Sequence, residues 1–255
     1  MPSIMKVSLL SLLALSATAA PTDGTPNKRA ASSACPSYTI INTRGTGEVQ
    51  GESAGFRTMN SQITSQLSGG KIYNTVYPAD FNQNSAAGTQ DIINQISATL
   101  KSSPNECFIL QGYSQGAAAT VNALPSITGA SFDAVKGVFL IGDPNHKSGL
   151  ACNIDNNGGT TTKDVNGLSA VLSEGIPDNW ISKTEDVCIF VSLLTPILGD
   201  TIKCWIAYAW FQKGDGVCDT THGSGINAQH LSYPTDSGTQ KLGTSFAIQK
   251  LGDAS

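Results

Sequence analysis

Hydrophobic positions along the middle of the chain alternate between two periods, and this alternation predicts the fold class. Four short β-branched or apolar runs are typical of strands: 38–42, 71–77, 107–110 and 136–141. Four segments with apolar positions at helical spacing or with many alanines are predicted helices: 53–67, 85–100, 115–124 and 237–251. Alternating strands and helices indicate a parallel sheet with helices on both faces, and such sheets bind ligands at the carboxyl ends of their strands. The Asn-, Gly- and Thr-rich segment 153–162 is a predicted loop.

The N-terminal residues lie outside this pattern and have the features of an export signal. Lys6 precedes a short apolar stretch, which is followed by a small-x-small cleavage site at residues 17–19. We therefore expect a signal peptide over residues 1–19 and a secreted, extracellular protein. The apolar stretch is too short to span a bilayer, so no membrane association is expected. A propeptide over residues 20–29, ending in a dibasic pair, would leave a single catalytic domain over residues 30–255.

The composition of the chain limits the functional classes to which the protein can belong. Charged residues make up 13% of the chain, about half the ~25% of a typical soluble domain, and the net charge is −4 without any basic run. This balance excludes a nucleic-acid-binding protein. Six cysteines in an exported chain indicate disulfides. The sequence has neither a Cys-x-x-Cys nor a His-Glu-x-x-His motif, so we expect no metal site.

Residues 112–116 (GYSQG) match the Gly-x-Ser-x-Gly motif of a nucleophile elbow. The motif alone is a weak signal, but here it lies between an apolar strand and a small-residue helix, which is the setting that an elbow requires. The flanking glycines permit a strained turn that exposes the hydroxyl of Ser114, while the following helix directs N–H groups at an oxyanion. Ser114 is therefore the candidate nucleophile.

A catalytic serine needs a base, and the chain has three histidines, all of which follow Ser114: His146, His222 and His230. In this architecture the chain order is serine, acid, histidine. Each of the two later histidines has suitable aspartates before it, so spacing alone leaves His222 and His230 open as alternatives.

Residues 35–251 resemble the fungal cutinase and acetylxylan-esterase family of small serine esterases. The resemblance is carried, in chain order, by CPSYTIINTRGTGE at 35–48, CFILQGYSQGAA at 107–118, GVFLIGDP at 137–144, KGDGVCD at 213–219 and HLSY at 230–233. It implies a three-layer α/β-hydrolase-type fold of the cutinase kind, with a central, mostly parallel sheet. It also implies Ser114 as nucleophile, Asp215 as acid and His230 as base. Thr46 and the backbone N–H of Gln115 would form the oxyanion hole.

The same resemblance implies two disulfides, Cys35–Cys107 and Cys188–Cys218, and leaves Cys152 and Cys204 without assigned partners. The implied activity is that of a secreted serine esterase that cleaves cutin-like polyesters and short-chain esters. Such an enzyme needs no cofactor and acts as a monomer on an ester of the plant cell wall or cuticle. Two alternatives stay open: an acetylxylan esterase, and a non-catalytic secreted protein that keeps the fold.

Residues 191–212 depart from the family pattern, in which a cysteine lies about four residues before the acid. This stretch separates Cys188 from Asp215 and contains two of the three tryptophans. Its first two codons can be written as a splice-donor sequence and its last two can end in a splice acceptor, in frame. We therefore hypothesise a retained intron, with a genuine lid-like insertion as the alternative. Pro196 and three polar positions interrupt the apolar run, which argues against a membrane helix.

Overall fold

The computed structural model describes residues 35–197 and 207–252, and its centre is a six-stranded sheet. The strands, all paired in parallel, are β1 Tyr38–Thr43, β2 Gly70–Asn74, β3 Cys107–Tyr113, β4 Val135–Ile141, β5 Asn153–Asp155 and β6 Thr184–Cys188. Their spatial order is β2-β1-β3-β4-β6-β5. The signal peptide and propeptide predicted over residues 1–29 lie outside the described residues.

Helices cover both faces of this sheet. They are α1 Arg57–Gln66, α2 Ala86–Ser102, α3 Gln115–Ala123, α4 Ala130–Ala134 and α5 Ser237–Gly252. Successive residues of β1 point to opposite faces, so Ile40 packs into the core beneath α1 and α5, whereas Ile41 packs against α2 and α3. The result is the three-layer α/β architecture that the sequence predicted, built around two apolar cores.

The strand order places a topological switch point between β1 and β3. The chain moves outward from β1 to β2, then crosses back so that β3 pairs with the other edge of β1, with Thr43 opposite Gly112. The loops that leave β1 and β3 therefore diverge and open a crevice at their carboxyl ends, where ligands bind in open α/β sheets. Ser114 directly follows β3 at this crevice.

The anomalous segment forms most of an antiparallel ribbon that stands apart from the main sheet. Its strands are β7 Phe190–Ile197 and β8 Ala207–Gly214, and Phe190 pairs with Gly214 at the base. The residues next to the base belong to the main fold, because the N–H of Asp215 donates to the carbonyl of Ile189 at 2.9 Å. The ribbon therefore leaves and re-enters the domain at almost the same point.

The hydrophobic pattern of the sequence predicted four strands and four helices to within a few residues of their observed bounds. The prediction was wrong at the edge of the sheet. Residues 153–155 form β5 rather than loop, and β6 was not predicted. Both strands are short and contain acidic side chains. Their stability comes from pairing with each other and with β4, which is a tertiary property absent from local periodicity.

Both disulfides implied by the resemblance are present. Cys35 is bonded to Cys107, joining the start of β1 to the start of β3 with a Cα–Cα distance of 5.9 Å. Cys188 is bonded to Cys218 with a Cα–Cα distance of 5.8 Å, which fastens the end of β6 to the loop after β8. Cys152 is a buried free thiol whose pKa is raised to about 12 by burial and by the neighbouring Asp186 charge. Cys204 lies outside the described residues.

Candidate active site

Ser114 occupies a strained turn between β3 and α3. Its φ of 55° and ψ of −120° lie in a region that non-glycine residues rarely adopt, and such strain concentrates at functional positions. The turn needs glycine on both sides. A Cβ atom at Gly112 would lie 2.6 Å from the Cα of Ala117, and one at Gly116 would collide with the carbonyl oxygen of Thr43. These contacts explain why the Gly-x-Ser-x-Gly spacing produces an elbow here.

The structure brings Ser114, His230 and Asp215 together from three separate parts of the chain. The Nε2 atom of His230 is 3.0 Å from the Oγ of Ser114. Its Nδ1 atom is 2.9 Å from each carboxylate oxygen of Asp215. Asp215 is fully buried and His230 is 2% exposed, whereas Ser114 is 7% exposed and faces the crevice. A buried carboxylate, an imidazole and a hydroxyl in this order can transfer a proton away from the serine.

The other two histidines lie elsewhere. His146 is buried, with Nδ1 2.6 Å from Asp186 and Nε2 3.0 Å from the carbonyl oxygen of Thr162. His222 is paired with Asp219, at 2.8 Å between Nδ1 and a carboxylate oxygen. Of the two histidines that spacing left open, it is therefore His230, not His222, that lies within hydrogen-bond distance of Ser114.

Asp215 is held by three neighbours in addition to His230. The backbone N–H of Val217 donates to its Oδ1 at 2.9 Å, and the hydroxyl of Tyr233 lies 2.8 Å from its Oδ2. The Cys188–Cys218 disulfide closes the loop around it. Charge-assisted hydrogen bonds of this kind fix the orientation of a buried carboxylate.

The loop after β1 forms the opposite wall of the crevice. Thr46 lies in this loop, half-buried, with its Oγ1 3.2 Å from the side-chain oxygen of Gln83. Gln115 is the first residue of α3, a position where a helix N–H group has no intrahelical acceptor. The amide of the Gln115 side chain donates to the carbonyl of Asp80 at 3.0 Å and so ties α3 to the loop after β2, which also contains Gln83.

Two charged side chains, one buried and one half-buried, brace this wall, and sequence reasoning missed both. The guanidinium of Arg44 donates to the carbonyls of Glu48, Thr75 and Tyr77. The carboxylate of Glu48 accepts from the backbone N–H of Gly45 at 2.6 Å and from two donors at residues 53 and 54. Both residues belong to the RGTGE motif at 44–48. The concentration of polar residues in this motif is the sequence feature that could have indicated them.

Tyr113 joins the elbow to the loop that carries His230, and sequence reasoning missed this contact as well. Its hydroxyl donates to the carbonyl of His230 at 2.6 Å, and the two ring centroids are 5.4 Å apart. Burial raises the pKa of this phenol, with smaller contributions from the charges of Glu48 and Asp215, so it remains a donor. The contact holds His230 against the strand that precedes Ser114.

Several exposed apolar side chains lie on loops that contact or adjoin the residues of the candidate site. The ring of Phe81 is 82% exposed and lies over Gly47, where a Cβ atom would meet it at 3.1 Å, and Leu231 directly follows the candidate base. The loop at Leu168, whose N–H donates to the carbonyl of Val217, also carries two apolar side chains that are more than 90% exposed, Val171 and Leu172. We call Phe81, Leu168, Val171, Leu172 and Leu231 the apolar rim.

Within the described part of the chain, one group of side chains has spacing suited to a metal ion: Cys188, Asp215 and Cys218. Its two sulfur atoms are bonded to each other in a disulfide, and its carboxylate is hydrogen-bonded to His230. These atoms therefore do not form a metal ligand set. Among the described helices, none is long and apolar enough to cross a membrane.

The comparisons with known proteins agree on one family. A sequence-family model described as Cutinase matches residues 34–251. The chain is 61% identical to a cutinase-like protein from Cryptococcus sp., with a TM-score of 0.75 over 87% of this chain and 98% of that one. It is 27% identical to a cutinase of Monilinia fructicola over 92% of both chains. The catalytic core domain of an acetyl xylan esterase from Trichoderma reesei shares the fold at 22% identity, with a TM-score of 0.60 over 85% of this chain and all of that one.

Proposed function

The chain belongs to the cutinase family and is a cutinase-type carboxylic ester hydrolase, and we propose that Ser114, His230 and Asp215 form its catalytic triad. The observation that carries the proposal is the unbroken hydrogen-bonded series from Asp215 through both nitrogens of His230 to the Oγ of Ser114. The strained conformation of Ser114 supports it independently. Membership of this family disfavours the non-catalytic alternative.

In the first half-reaction, the Oγ of Ser114 attacks the ester carbonyl carbon while its proton passes to the Nε2 of His230. The carbonyl electron pair moves onto oxygen, and Asp215 stabilises the imidazolium that forms. Collapse of the tetrahedral intermediate breaks the bond to the alcohol, which leaves with the proton from His230. Water then attacks the acyl-enzyme by the same route and releases the acid, so the chain's own groups complete the cycle.

The developing oxyanion is proposed to lie between Thr46 and the N-terminus of α3. The backbone N–H of Gln115 supplies one donor, aligned with the positive end of the helix dipole. The hydroxyl of Thr46 supplies a second donor when it turns from Gln83 toward the crevice. The Arg44–Glu48 brace supports this role because it fixes the backbone on which Thr46 is carried.

We propose that the acyl groups accepted are apolar, as in a cutin-like polyester of hydroxy-fatty acids, with short-chain esters as smaller substrates. The apolar rim supports this choice, because exposed apolar clusters on a soluble protein mark contact with an apolar partner. Acetylated xylan, the alternative substrate, presents a hydroxyl-rich chain that gains little from such a rim. The proposed partner is therefore a plant cuticle polymer, acted on by a monomeric enzyme.

A substrate panel tests this proposal. Rates would be measured with p-nitrophenyl acetate, butyrate and decanoate, and with cutin and acetylxylan as polymers. We expect higher kcat/KM for butyrate than for acetate, together with release of hydroxy acids from cutin. The matched variant Phe81→Ser should reduce the rate on cutin more than the rate on acetate. A preference for acetylxylan that Phe81→Ser leaves unchanged would contradict the apolar substrate class.

The processing steps are also proposals. Cleavage after residue 19 and after the dibasic pair at residues 28–29 would give a secreted chain that begins at Ala30. N-terminal sequencing of the protein from the culture medium tests both cuts, and an intact residue 20 in the mature protein would contradict the propeptide. Size-exclusion chromatography with light scattering tests the monomer.

We further propose that residues 191–212 are dispensable and derive from an unspliced intron. The base of the ribbon supports this, because Phe190 and Gly214 are direct antiparallel partners and such Cα atoms lie about 4.5–5.5 Å apart. Removing residues 191–212 leaves Lys213 between them, and two Cα–Cα steps of about 3.8 Å readily cover that distance. We call the segment between Cys188 and Cys218, which carries Asp215, the acid loop. After shortening, it would keep these two cysteines within bonding range.

Expression of both chain lengths tests this idea, together with sequencing of the transcript. We expect the shortened chain to be secreted in higher yield and to be active, and the 255-residue chain to fold poorly, because Cys204 offers a competing disulfide partner. Disulfide mapping on both forms identifies the bridges. Equal activity of the two forms, with Cys204 in a single native bridge, would show that the segment is a genuine element of the structure.

A further inference from the structure

Tyr233 lies three residues after His230, and its hydroxyl is the meeting point of four groups. The oxygen atom is 2.8 Å from Asp215 Oδ2, 3.1 Å from the backbone nitrogen of Ile189, and 3.2 Å from the carbonyl oxygen of Val187. It is also 3.6 Å from the sulfur of Cys218. The side chain is fully buried, so it cannot contact a substrate in the crevice.

The direction of each hydrogen bond follows from the donors available. The N–H of Ile189 can only donate, so the phenol oxygen accepts from it. The phenol has a single proton to give, to either Asp215 or the carbonyl of Val187. That carbonyl already accepts from the N–H of Gly142 and is the more distant, whereas the carboxylate is charged and closer. The proton is therefore directed at Asp215.

We propose that Tyr233 is a positioning residue of the esterase, which orients the Asp215 carboxylate toward His230 by donating a hydrogen bond to its Oδ2. The proposal deepens the triad roles proposed above and rests on them. With Val217 N–H on the other oxygen, the carboxylate is held at both ends. The phenol thereby extends the triad by one further group that never meets the substrate.

The electrostatic surroundings are consistent with a permanent donor. Burial raises the pKa of Tyr233 well above its ordinary value, and the Asp215 charge adds to the rise. The other titratable groups that face the site are His230 and Tyr113, whose ring centroid is 5.7 Å from that of Tyr233. Glu48 is the one further charge that acts on Tyr113, from the loop after β1.

Tyr233→Phe removes the hydroxyl and keeps the ring. We expect kcat to fall roughly tenfold, because a hydrogen bond to a charged group is lost, while KM is unchanged. Without the phenol, more of the carboxylate charge faces His230 and favours the imidazolium. The acid limb of the kcat/KM profile should therefore move to higher pH by about half a unit. A merely structural role would not move this limb.

Tyr38→Phe is the matched control. Tyr38 is another fully buried tyrosine, and its hydroxyl donates to the carbonyl of Leu67 at 2.9 Å, away from the triad. Both variants lose one buried hydrogen bond, so both should lower the urea midpoint of unfolding. Only Tyr233→Phe should move the pH profile, and equal profiles for the two variants would overturn the proposal.

A double-mutant cycle with Asp215→Asn gives an independent test. If Tyr233 acts through Asp215, removing its hydroxyl should have almost no further effect on kcat once the carboxylate is gone. Equal effects of Tyr233→Phe in the two backgrounds would overturn the proposal. Ser114→Ala separates this failure from failure of the triad itself: if that variant keeps the parent rate, the triad roles and the role of Tyr233 fall together.

Discussion

Two buried histidines, each beside a buried aspartate, lie in the same domain, and their surroundings favour opposite roles. His230 and His146 both place Nδ1 within 2.9 Å of a carboxylate oxygen, of Asp215 and Asp186 respectively. They differ at the other nitrogen. Nε2 of His230 faces a hydroxyl, which can donate a proton, whereas Nε2 of His146 faces the carbonyl of Thr162, which can only accept one.

This difference determines the protonation state that each site supports. Both nitrogens of His146 face acceptor oxygens, so the site favours the doubly protonated, cationic form of the ring beside Asp186. Burial lowers the pKa of His146, but the charge and hydrogen bond of Asp186 outweigh that effect and raise the pKa to about 9. A base is useful only when one nitrogen is free to accept a proton. The partner of Nε2, rather than the His–Asp pair itself, therefore distinguishes a catalytic histidine from a structural one.

The largest expected effect comes from the proposed catalytic residues Ser114 and His230. Ser114→Ala and His230→Ala should each lower kcat on p-nitrophenyl butyrate by about 10⁶-fold, and the double variant should fall to the same floor because triad members act as a unit. Circular dichroism should show an unchanged fold. A residual rate in Ser114→Ala near that of the parent would refute the assignment of the nucleophile.

The structural pair should give the reverse result, with large effects on stability and small effects on catalysis. His146→Leu leaves Asp186 buried without its cation, which costs about 3–5 kcal/mol of unfolding free energy. Urea unfolding measures this loss, and kcat of the folded fraction should stay within a few-fold of the parent. A loss of kcat as great as that of His230→Ala would show that the two pairs are not functionally distinct.

A second variant checks the cause of that loss. His146→Leu combined with Asp186→Leu removes both charges and fills the site with apolar atoms, so it should recover much of the stability. The nearby Asp143 is fully buried, and this burial, the main cause that raises its pKa, remains in the double variant. If the double variant is no more stable than His146→Leu, the cost arises from packing rather than from charge.

The same pair predicts a stability that falls toward alkaline pH. The folded-state pKa of His146, about 9, lies above its ordinary value of 6.5, so the folded protein binds this proton more tightly. Its contribution is complete below pH 6.5 and is lost as the pH rises through 9, which amounts to roughly 3 kcal/mol. Urea midpoints at about pH 6 and pH 9 measure the decline. His146→Leu should flatten it, and an equally steep decline in that variant would assign it to other groups.

The contrast between the two pairs also explains what the sequence could and could not predict. Ser114 was identified because an elbow is local: its strain and its flanking glycines lie within five consecutive residues. The base could not be identified from spacing, because what Nε2 faces depends on strands far apart in the chain. The same holds for Tyr233 and Arg44, whose partners lie on other elements, and for β6, which is stabilised by its neighbours. The family motifs supplied the expectation of His230 as base, but they indicated neither β6 nor the roles of Tyr233 and Arg44.

The smallest expected effect tests the third histidine, which lies between these extremes. His222 is paired with Asp219 next to the acid loop, its ring contacts Phe190 edge-on at 5.1 Å, and its side chain is 28% exposed. Because solvent can replace its hydrogen bond, His222→Ala should lower kcat/KM by no more than about threefold and stability by less than about 1 kcal/mol.

Asp219→Ala is the informative partner of that variant. Asp219 is fully buried and accepts from the backbone N–H groups of Thr221 and His222, so its carboxylate shapes the loop that carries Asp215. Its loss should reduce activity well beyond the effect of His222→Ala. This outcome would show that the third pair supports the acid loop through the aspartate, with the histidine as an exposed accessory. If instead His222→Ala abolished activity and His230→Ala did not, His222 would be the base and the ordering of the three histidines would be wrong.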